Sequence, residues 1–143
     1  MLKPTPIQSG IAGEYLVAGE LCRRGYIASL TLRNTKGVAV LAASADAYRS
    51  VGIQVKTSQG DHCRWLMGRK AETDYGDRIF YVFVNLHHNK AHPTFHVVPS
   101  RTVADYARKG HERYLATPGR SGQQRRDNSI RTFEDEENRY LDK

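Results

Sequence analysis

Gln54 and Lys56 lie two positions apart in a short apolar segment, and this spacing could place both side chains at one site. Residues 51–57 read Val-Gly-Ile-Gln-Val-Lys-Thr. Side chains alternate between the two faces of a strand, so Gln54 and Lys56 point the same way while Ile53 and Val55 point into the packing. An amide and an ammonium group turned inward are costly unless they serve a ligand. The segment therefore indicates a binding or catalytic site; the alternative is an edge strand whose lysine faces water and discourages edge pairing.

Two earlier segments could complete such a site. Apolar residues at helical spacing predict a helix over residues 9–24, beginning at an N-cap serine and carrying Glu14. Glu20 lies on the same helix, but six positions separate it from Glu14, so the two carboxylates point to different sides of the helix. Residues 37–41, Gly-Val-Ala-Val-Leu, predict a buried strand with Ala39 at its centre. These elements would bring one carboxylate and one alanine towards the two polar side chains.

This combination resembles the core of the PD-(D/E)XK nuclease superfamily, which includes restriction-endonuclease-like and Holliday-junction-resolvase-like small proteins. The resemblance covers residues 9–100 and rests on short motifs. It implies three catalytic residues: Glu14 as the acid of the first helix, and Gln54 and Lys56 as the Q-x-K element of the third core strand. Glu14, Gln54 and the backbone carbonyl of Val55 would be ligands of Mg²⁺ or Mn²⁺. Lys56 would orient the attacking water and stabilise charge that develops on the phosphate.

The same resemblance places the central aspartate of the family at Ala39, where the pattern Gly-x-Asp-x-Leu reads Gly-Val-Ala-Val-Leu. Alanine has no side-chain oxygen, so the implied site binds a cation weakly, because proteins usually hold Mg²⁺ through one or two carboxylates. Three explanations stay open. The alanine could be an introduced substitution that silences the enzyme or traps its substrate. The protein could be a degenerate member that binds nucleic acid without cutting it, or Asp46 or Asp61 could supply the missing carboxylate.

The remaining pattern predicts an α/β fold, restriction-endonuclease-like in its core, with a mixed central sheet flanked by helices. Turn-length links between the first three strands favour an antiparallel meander. The expected strands cover residues 26–33, 38–43, 51–57, 64–67, 78–86 and 95–98, and a last core helix begins at Ser100 and is ended by Gly110. Residues 1–116 form the predicted core domain. Residues 117–143 form a polar extension, an extended loop followed by a short acidic helix over residues 134–143.

The net charge of +7 favours a polyanionic partner. With the nuclease resemblance, the expected partner is DNA, and a homodimer would let two sites meet two strands. The forked guanidinium of arginine pairs well with phosphate, so basic residues of the last helix and the following loop are the candidate nucleic-acid contacts. A solvated charged loop is the alternative. We call these residues the basic group: Arg108, Lys109, Arg113, Arg120, Arg125, Arg126 and Arg131.

Other residue types limit the function. No apolar run reaches the length of a membrane span, and Cys22 and Cys63 lack metal-type spacing, so the expected location is a reducing cytoplasm. Four histidines lie close together in the sequence but match no closed four-ligand zinc site, and the first two predict a solvated turn. They are His87, His88, His92 and His96.

The sequence as a whole predicts a divalent-metal-dependent DNA endonuclease that hydrolyses phosphodiester bonds and is inactive or weakened because of Ala39. The alternative is a non-catalytic nucleic-acid-binding or regulatory module on the same fold. Duplex, branched and single-stranded DNA, and RNA, all remain open as substrates.

Overall fold

Helix α1, Pro6–Arg23, opens the chain and begins earlier than the predicted cap at Ser9. In this computed structural model, which describes residues 2–32 and 37–142, Thr5 and Gln8 form a capping box. The Thr5 hydroxyl accepts from the Gln8 backbone N–H at 3.2 Å, and the Gln8 side-chain oxygen accepts from the Thr5 N–H at 2.8 Å. The helix predicted over residues 9–24 is confirmed, with its start moved to the position where both orphan N–H groups find acceptors.

Of the seven strands in the described residues, five form one mixed sheet in the order β1-β2-β3-β5-β6. The first three pair as an antiparallel meander, β3 pairs with β5 in parallel, and β5 pairs with β6 antiparallel. The predicted meander and the predicted mixed sheet are therefore confirmed. The strands are β1 Ile27–Leu30, β2 Val40–Ala43, β3 Ser50–Ser58, β4 Arg64–Met67, β5 Ile79–Asn85, β6 Thr94–Pro99 and β7 Arg131–Glu134.

The alternation of side chains along β3 and β5 divides the core into two clusters. On one face, Ile53 and Val82 pack with Val17 of α1. On the other face, Tyr81 and Phe83 pack with the second helix, α2, Ser100–Ala116, and with the small antiparallel sheet of β4 and β7. Both faces of the central strands are thus covered, which explains why β5 is apolar without interruption.

Helix α2 continues past Gly110 to Ala116, so the predicted end at Gly110 is wrong. A glycine ends a helix where the backbone turns left-handed, and Gly110 keeps helical geometry. The helix ends at Thr117, directly before Pro118, which cannot continue it.

The C-terminal segment does not form the predicted acidic helix over residues 134–143. Arg131 and Phe133 are both buried, with the period of two that a strand requires, and β7 pairs with β4. The Phe133 ring stacks on Phe83 with centroids 4.6 Å apart, so core packing overrides the helical tendency of the acidic residues. Residues 135–142 return to the main sheet, where Leu141 bridges to His96. The extension predicted over residues 117–143 is thus partly built into the core, and residues 117–130 form the irregular part.

The carboxylate of Asp135 bonds the C-terminal segment to β6, and we call this set of hydrogen bonds the Asp135 clamp. Its carboxylate accepts from the ring of His96 at 2.7 Å and from the backbone N–H groups of Arg139 and Tyr140 at 2.9 and 3.0 Å. Burial alone would raise the pKa of Asp135, but these hydrogen bonds outweigh it and hold the pKa below the ordinary value of 3.8. His96 is 1% exposed and lies in β6, so it belongs to this clamp. No helix in the described ranges has the length and apolarity needed to cross a bilayer.

Asp135→Ala should lower the free energy of unfolding by about 2 to 4 kcal/mol, because His96 and two backbone N–H groups lose a buried acceptor. Urea titration measures this. The neighbouring exposed residue Glu136 provides the matched control, and Glu136→Ala should stay within about 0.5 kcal/mol of the parent.

The pH dependence of this effect has a definite sign. A carboxyl whose pKa is depressed by folding contributes its stability above the unfolded pKa and loses it as the pH falls through the folded pKa. The gap between the parent and Asp135→Ala should therefore shrink below about pH 4. A gap that stays constant down to the acid transition would contradict the clamp.

Candidate functional site

Gln54 and Lys56 point from the middle of the sheet towards α2. Along the parallel pairing, Gln54 lies opposite Tyr81 and Lys56 lies opposite Phe83. Tyr81 and Phe83 belong to the cluster on the α2 side, so the two polar side chains emerge on that side as well. Val55 lies between them and packs on the α1 side, opposite Val82.

Lys56 is a half-buried cation without an acidic partner. Within the described residues it forms no ion pair and no hydrogen bond through its ammonium group. Burial lowers the pKa of Lys56 below its ordinary value of 10.5, because the charged form loses solvation that no carboxylate restores. Such a group is ready to accept an anion, whose binding would replace the lost solvation.

Helix α1 crosses the carboxyl end of β3 one residue before Glu14. Gly13 lies directly on the side chain of Thr57, whose buried hydroxyl oxygen has no hydrogen-bond partner among the described residues. Close by, the Gln59 side-chain nitrogen donates to the Ser9 hydroxyl at 2.5 Å. Glu14 is half-buried and comes to this crossing from the α1 side of the sheet, whereas Lys56 lies on the α2 side.

The two neighbours of β3 in the sheet pair with it over different lengths. Pairing between β2 and β3 runs from Ser50 only to Ile53, where the N–H of Ala39 donates to the Ile53 carbonyl at 2.8 Å. Pairing between β3 and β5 continues to Ser58. In the second half of β3, which contains Gln54 and Lys56, the backbone is therefore paired with β5 on one side, and the ladder with β2 has already ended on the other.

The segment before β2 reaches Gln54. A Cβ atom on Gly37 would lie 3.3 Å from the Gln54 side-chain oxygen, and Gly37 has a φ of +73°. Ala39 follows at the start of β2 and packs against the α1-side cluster. The structure thus brings residues 37–39 together with Gln54, and Gly13 together with Thr57, but no bond joins Glu14 to Lys56.

Neither alternative acid lies beside Lys56. Asp46 is in the turn between β2 and β3, where it accepts from the Ser44 hydroxyl and the Tyr48 N–H at the opposite end of β3 from Lys56. Asp61 follows β3, and its carboxylate is bonded to the His87 ring at 2.8 Å. Of the explanations for Ala39, a carboxylate supplied by either residue therefore has no support in the structure.

Oxygen donors of the kind that Mg²⁺ prefers are present, but their charge is insufficient. Glu14 offers the one carboxylate, and Gln54 and backbone carbonyls are neutral. Within the described ranges, no three histidine, cysteine, aspartate or glutamate side chains are grouped to hold a metal ion. The donor set fits a hard divalent cation in type and lacks one carboxylate.

Comparisons with solved structures identify the architecture. A bacterial homing endonuclease matches with a TM-score of 0.53 and 13% sequence identity, over 73% of this chain and 72% of that one. The Holliday junction resolvase of the archaeal hyperthermophile Archaeoglobus fulgidus matches with a TM-score of 0.50 and 12% identity, over 87% of this chain and 83% of that one. The chain therefore has an α/β fold with a mixed central sheet like that of these two proteins, which is restriction-endonuclease-like. No protein-family model matches the sequence, and no curated protein matches it significantly.

Onto this restriction-endonuclease-like core, the structure adds an exposed basic face along α2 and the following loop. Lys109, Arg113, Arg120 and Arg126 are exposed and form no ion pair within the described residues. Arg108 is paired with Asp105, and the Arg125 guanidinium lies 4.7 Å from the centre of the Tyr114 ring. These side chains lie where a polyanion can reach them.

Arg131 differs from the rest of the basic group. It was predicted to continue the exposed loop, but its side chain is 3% exposed and donates to the Glu72 carboxylate at 2.7 Å. The same guanidinium also donates to the carbonyls of Asn128 and Ile130. Arg131 is therefore an internal cation that holds the loop to the core.

Sequence reasoning missed Tyr81, Gly13 and Gly37. Tyr81 lies inside an apolar run and has no mark of a site residue until the β3–β5 register places it opposite Gln54. The two glycines are needed because other groups come close, to Thr57 at Gly13 and to Gln54 at Gly37. A glycine inside a predicted helix was the one available signal, since it usually has a packing reason.

Gly13→Ala should destabilise the protein by about 1 to 3 kcal/mol, because the added methyl group overlaps the Thr57 hydroxyl and pushes α1 away from β3. Thermal and urea unfolding measure this. Gly19→Ala on the same helix is the matched control. Position 19 is exposed with nothing near its Cβ, so alanine should stabilise by about 0.5 to 1 kcal/mol. Equal effects of the two substitutions would show that α1 does not rest on Thr57.

Proposed function

We propose that this chain is a DNA endonuclease of the PD-(D/E)XK type whose cation site is weakened by alanine at position 39. The fold supports the proposal, since the two structurally similar proteins are a homing endonuclease and a Holliday junction resolvase. Fold similarity alone does not carry a function, so the argument rests on the site.

The observation that carries the proposal is the half-buried Lys56 in the central sheet, which forms no ion pair among the described residues. A structural lysine in such a place is usually paired with a carboxylate, because an isolated buried charge is expensive. Lys56 has no such partner among the described residues and lies beside the amide of Gln54. A phosphodiester anion at the open border of β3 supplies the missing counter-charge.

The proposed roles follow from the positions of the side chains. Lys56 donates to a phosphate oxygen and stabilises the charge that grows there during cleavage. Glu14 and Gln54 supply oxygen donors from α1 and β3. A divalent cation, when bound, would polarise the phosphate and lower the pKa of the attacking water.

DNA is the proposed partner because the exposed basic face suits its backbone. Lys109, Arg113, Arg120 and Arg126 form no ion pair in the described structure. Their phosphate contacts would release counterions and make binding depend strongly on salt. A homodimer would present two such sites to the two strands of a duplex.

The second candidate is a nucleic-acid-binding module that does not cut. The deficit of carboxylates around Lys56 favours it, because a binding site for phosphate needs the lysine but not the acids. The two candidates differ in one respect: restoring the missing carboxylate should create cleavage in a nuclease and should create nothing in a binding module.

Ala39→Asp should create cleavage of DNA that depends on Mg²⁺ or Mn²⁺, because it returns a carboxylate to the position of the missing acid. The measurement is an assay on duplex, branched and single-stranded DNA with each metal and with chelator. In the Ala39→Asp background, Lys56→Ala should reduce the cleavage rate by about a hundredfold or more while DNA affinity changes little. Absence of cleavage by Ala39→Asp, with DNA binding intact, would reject the nuclease and leave the binding module.

Substitutions in the basic face should weaken DNA binding and leave the cleavage rate unchanged. Replacing Arg125 and Arg126 by glutamine should weaken DNA binding and reduce the slope of log affinity against log salt by about one to two. The cleavage rate at saturating DNA should stay near that of the Ala39→Asp parent. Arg108→Gln is the matched control, since Arg108 is already paired with Asp105 and should contribute less.

A further inference from the structure

A thiol, an imidazole and a carboxylate lie in a row at the start of β4. The Cys63 sulfur is 3.8 Å from Nε2 of His96, and Nδ1 of the same ring is 2.7 Å from the Asp135 carboxylate. His96 is 1% exposed and Asp135 is 4% exposed, whereas Cys63 is a free cysteine that solvent partly reaches. This is the order of groups in sites where a base activates a nucleophile and a third group orients the base.

The Asp135 clamp determines which nitrogen of His96 carries the proton. The backbone N–H groups of Arg139 and Tyr140 donate to the Asp135 carboxylate at 2.9 and 3.0 Å, so the carboxylate is held as an anion. An ionised carboxylate can only accept hydrogen bonds, and Nδ1 of His96 must therefore be the donor between them. In the neutral ring the lone pair is then on Nε2. The imidazole presents this basic nitrogen to the Cys63 sulfur.

Three chain segments hold the thiol and the imidazole at this distance. The Asp135 N–H donates to the Cys63 carbonyl at 2.9 Å, so the C-terminal segment bonds directly to the residue that carries the thiol. Leu141 of the same segment bridges to His96 in β6. The Trp65 ring, from β4, packs on the His96 ring with centroids 5.0 Å apart. The approach of the sulfur to Nε2 is therefore part of the packed structure.

Two asparagines also contact the sulfur. The Asn85 side-chain nitrogen donates to it at 3.7 Å, and the Asn138 side-chain oxygen lies at 3.7 Å, where it can accept from the thiol. An imidazole nitrogen is far more basic than an amide oxygen, so a proton that leaves the sulfur passes to His96. Asn85 is fully buried, and its side-chain oxygen has no hydrogen-bond partner among the described residues. A buried acceptor left unpaired is costly and is expected more often at a site than in a structural core.

The surroundings keep the sulfur protonated in the resting protein. Burial raises the pKa of the Cys63 thiol, and the carboxylates of Glu136 and Asp135 raise it further, whereas the bond from Asn85 lowers it. Cys63 is therefore unlike cysteines that react because they are already thiolates. Its reactivity depends on the transfer of its proton to a base during the attack, and His96 is the base in contact with it.

We propose that Cys63, His96 and Asp135 form a nucleophilic thiol site that is covalently modified by a small carbon electrophile. The sulfur forms a bond to the carbon, the leaving group departs with the electron pair of its former bond, and the thiol proton passes to Nε2 of His96. Asp135 stabilises the resulting imidazolium through Nδ1. His96 lies two strands away from Lys56 in the sheet, and the proposal does not depend on the proposed function.

The first test compares the two cysteines of the unaltered chain. The folded protein is treated with iodoacetamide at neutral pH, and mass spectrometry follows the alkylation of Cys63 and Cys22 separately. Cys22 is the internal reference, since it is exposed and its sulfur contacts the Ala28 carbonyl and no imidazole. Cys63 should react at least as fast as Cys22 although it is less exposed. A Cys63 rate below that of Cys22 would overturn the proposal, because burial alone would then control the thiol.

The second test removes the base and keeps a donor for Asp135. In His96→Asn the side-chain NH₂ can still donate to the carboxylate, but the basic nitrogen is lost. Alkylation of Cys63 at neutral pH should slow by about tenfold or more, while Cys22 keeps its rate. His62→Asn is the matched control, because it removes the exposed imidazole next to Cys63 in the chain and should change neither rate.

The pH dependence separates a base from a packing residue. Above the pKa of the thiol the thiolate forms without help, so the Cys63 rates of His96→Asn and of the parent should converge there. A Cys63 rate that is unchanged by His96→Asn at neutral pH, or a deficit that persists at high pH, would overturn the proposal. If circular dichroism shows that His96→Asn does not fold, the ratio of the Cys63 and Cys22 rates in the parent chain decides.

Discussion

The parallel pairing of β3 with β5 determines where every other element lies. It runs from Gly52 opposite Ile79 to Ser58 opposite Asn85, and it turns alternate side chains to opposite faces. The apolar set of one face accepts α1, and the aromatic set of the other accepts α2 and the small sheet of β4 and β7. Because both faces of the sheet are covered, the side chains of Gln54 and Lys56 are partly or wholly shielded from bulk water. Gln54 is buried and Lys56 is half-buried, and within the described residues the second half of their strand is paired in the sheet only with β5.

This constraint makes the charge balance of the site informative. Most cations of this protein are on the surface or have an acid beside them; even the buried Arg131 is bonded to Glu72. Lys56 is half-buried and lacks such a partner in the described structure. No ion pair or hydrogen bond among the described residues offsets the desolvation of its ammonium group, as expected of a group that binds a ligand. Alanine at position 39 also lowers the negative charge of the implied metal site, since Glu14 is left as its candidate carboxylate.

How far the sequence predicts this structure depends on whether a feature is local. The shared face of Gln54 and Lys56 follows from the two-residue period of a strand. The helix cap was predicted at Ser9, whereas the structure has a capping box of Thr5 and Gln8. The C-terminal segment was predicted wrongly because its acidic residues favour a helix, while Phe133 is drawn into a core made by β5 and α2. The helix end predicted at Gly110 was wrong for a related reason, because the packing of α2 outweighs the cost of one glycine within the helix.

The candidate site shows the same division. Glu14, Gln54 and Lys56 are recognisable as residue types at fixed spacings, but the position of Tyr81 opposite Gln54 depends on the register of two strands that are distant in sequence. The approach of α1 to β3 through Gly13 and Thr57 likewise appears only when a helix is docked on the sheet. Contacts between segments that are distant in sequence therefore could not be predicted from the sequence.

The central claim is that Lys56 is a desolvated cation that serves a phosphate. It is tested most directly by the pKa of this one ammonium group, followed by NMR on the isotope-labelled chain with and without a duplex oligonucleotide. The account predicts a pKa below the ordinary value of 10.5 in the free protein and a rise when DNA binds, because a phosphate anion favours the charged form. A pKa near 10.5 that does not change when DNA binds would contradict it.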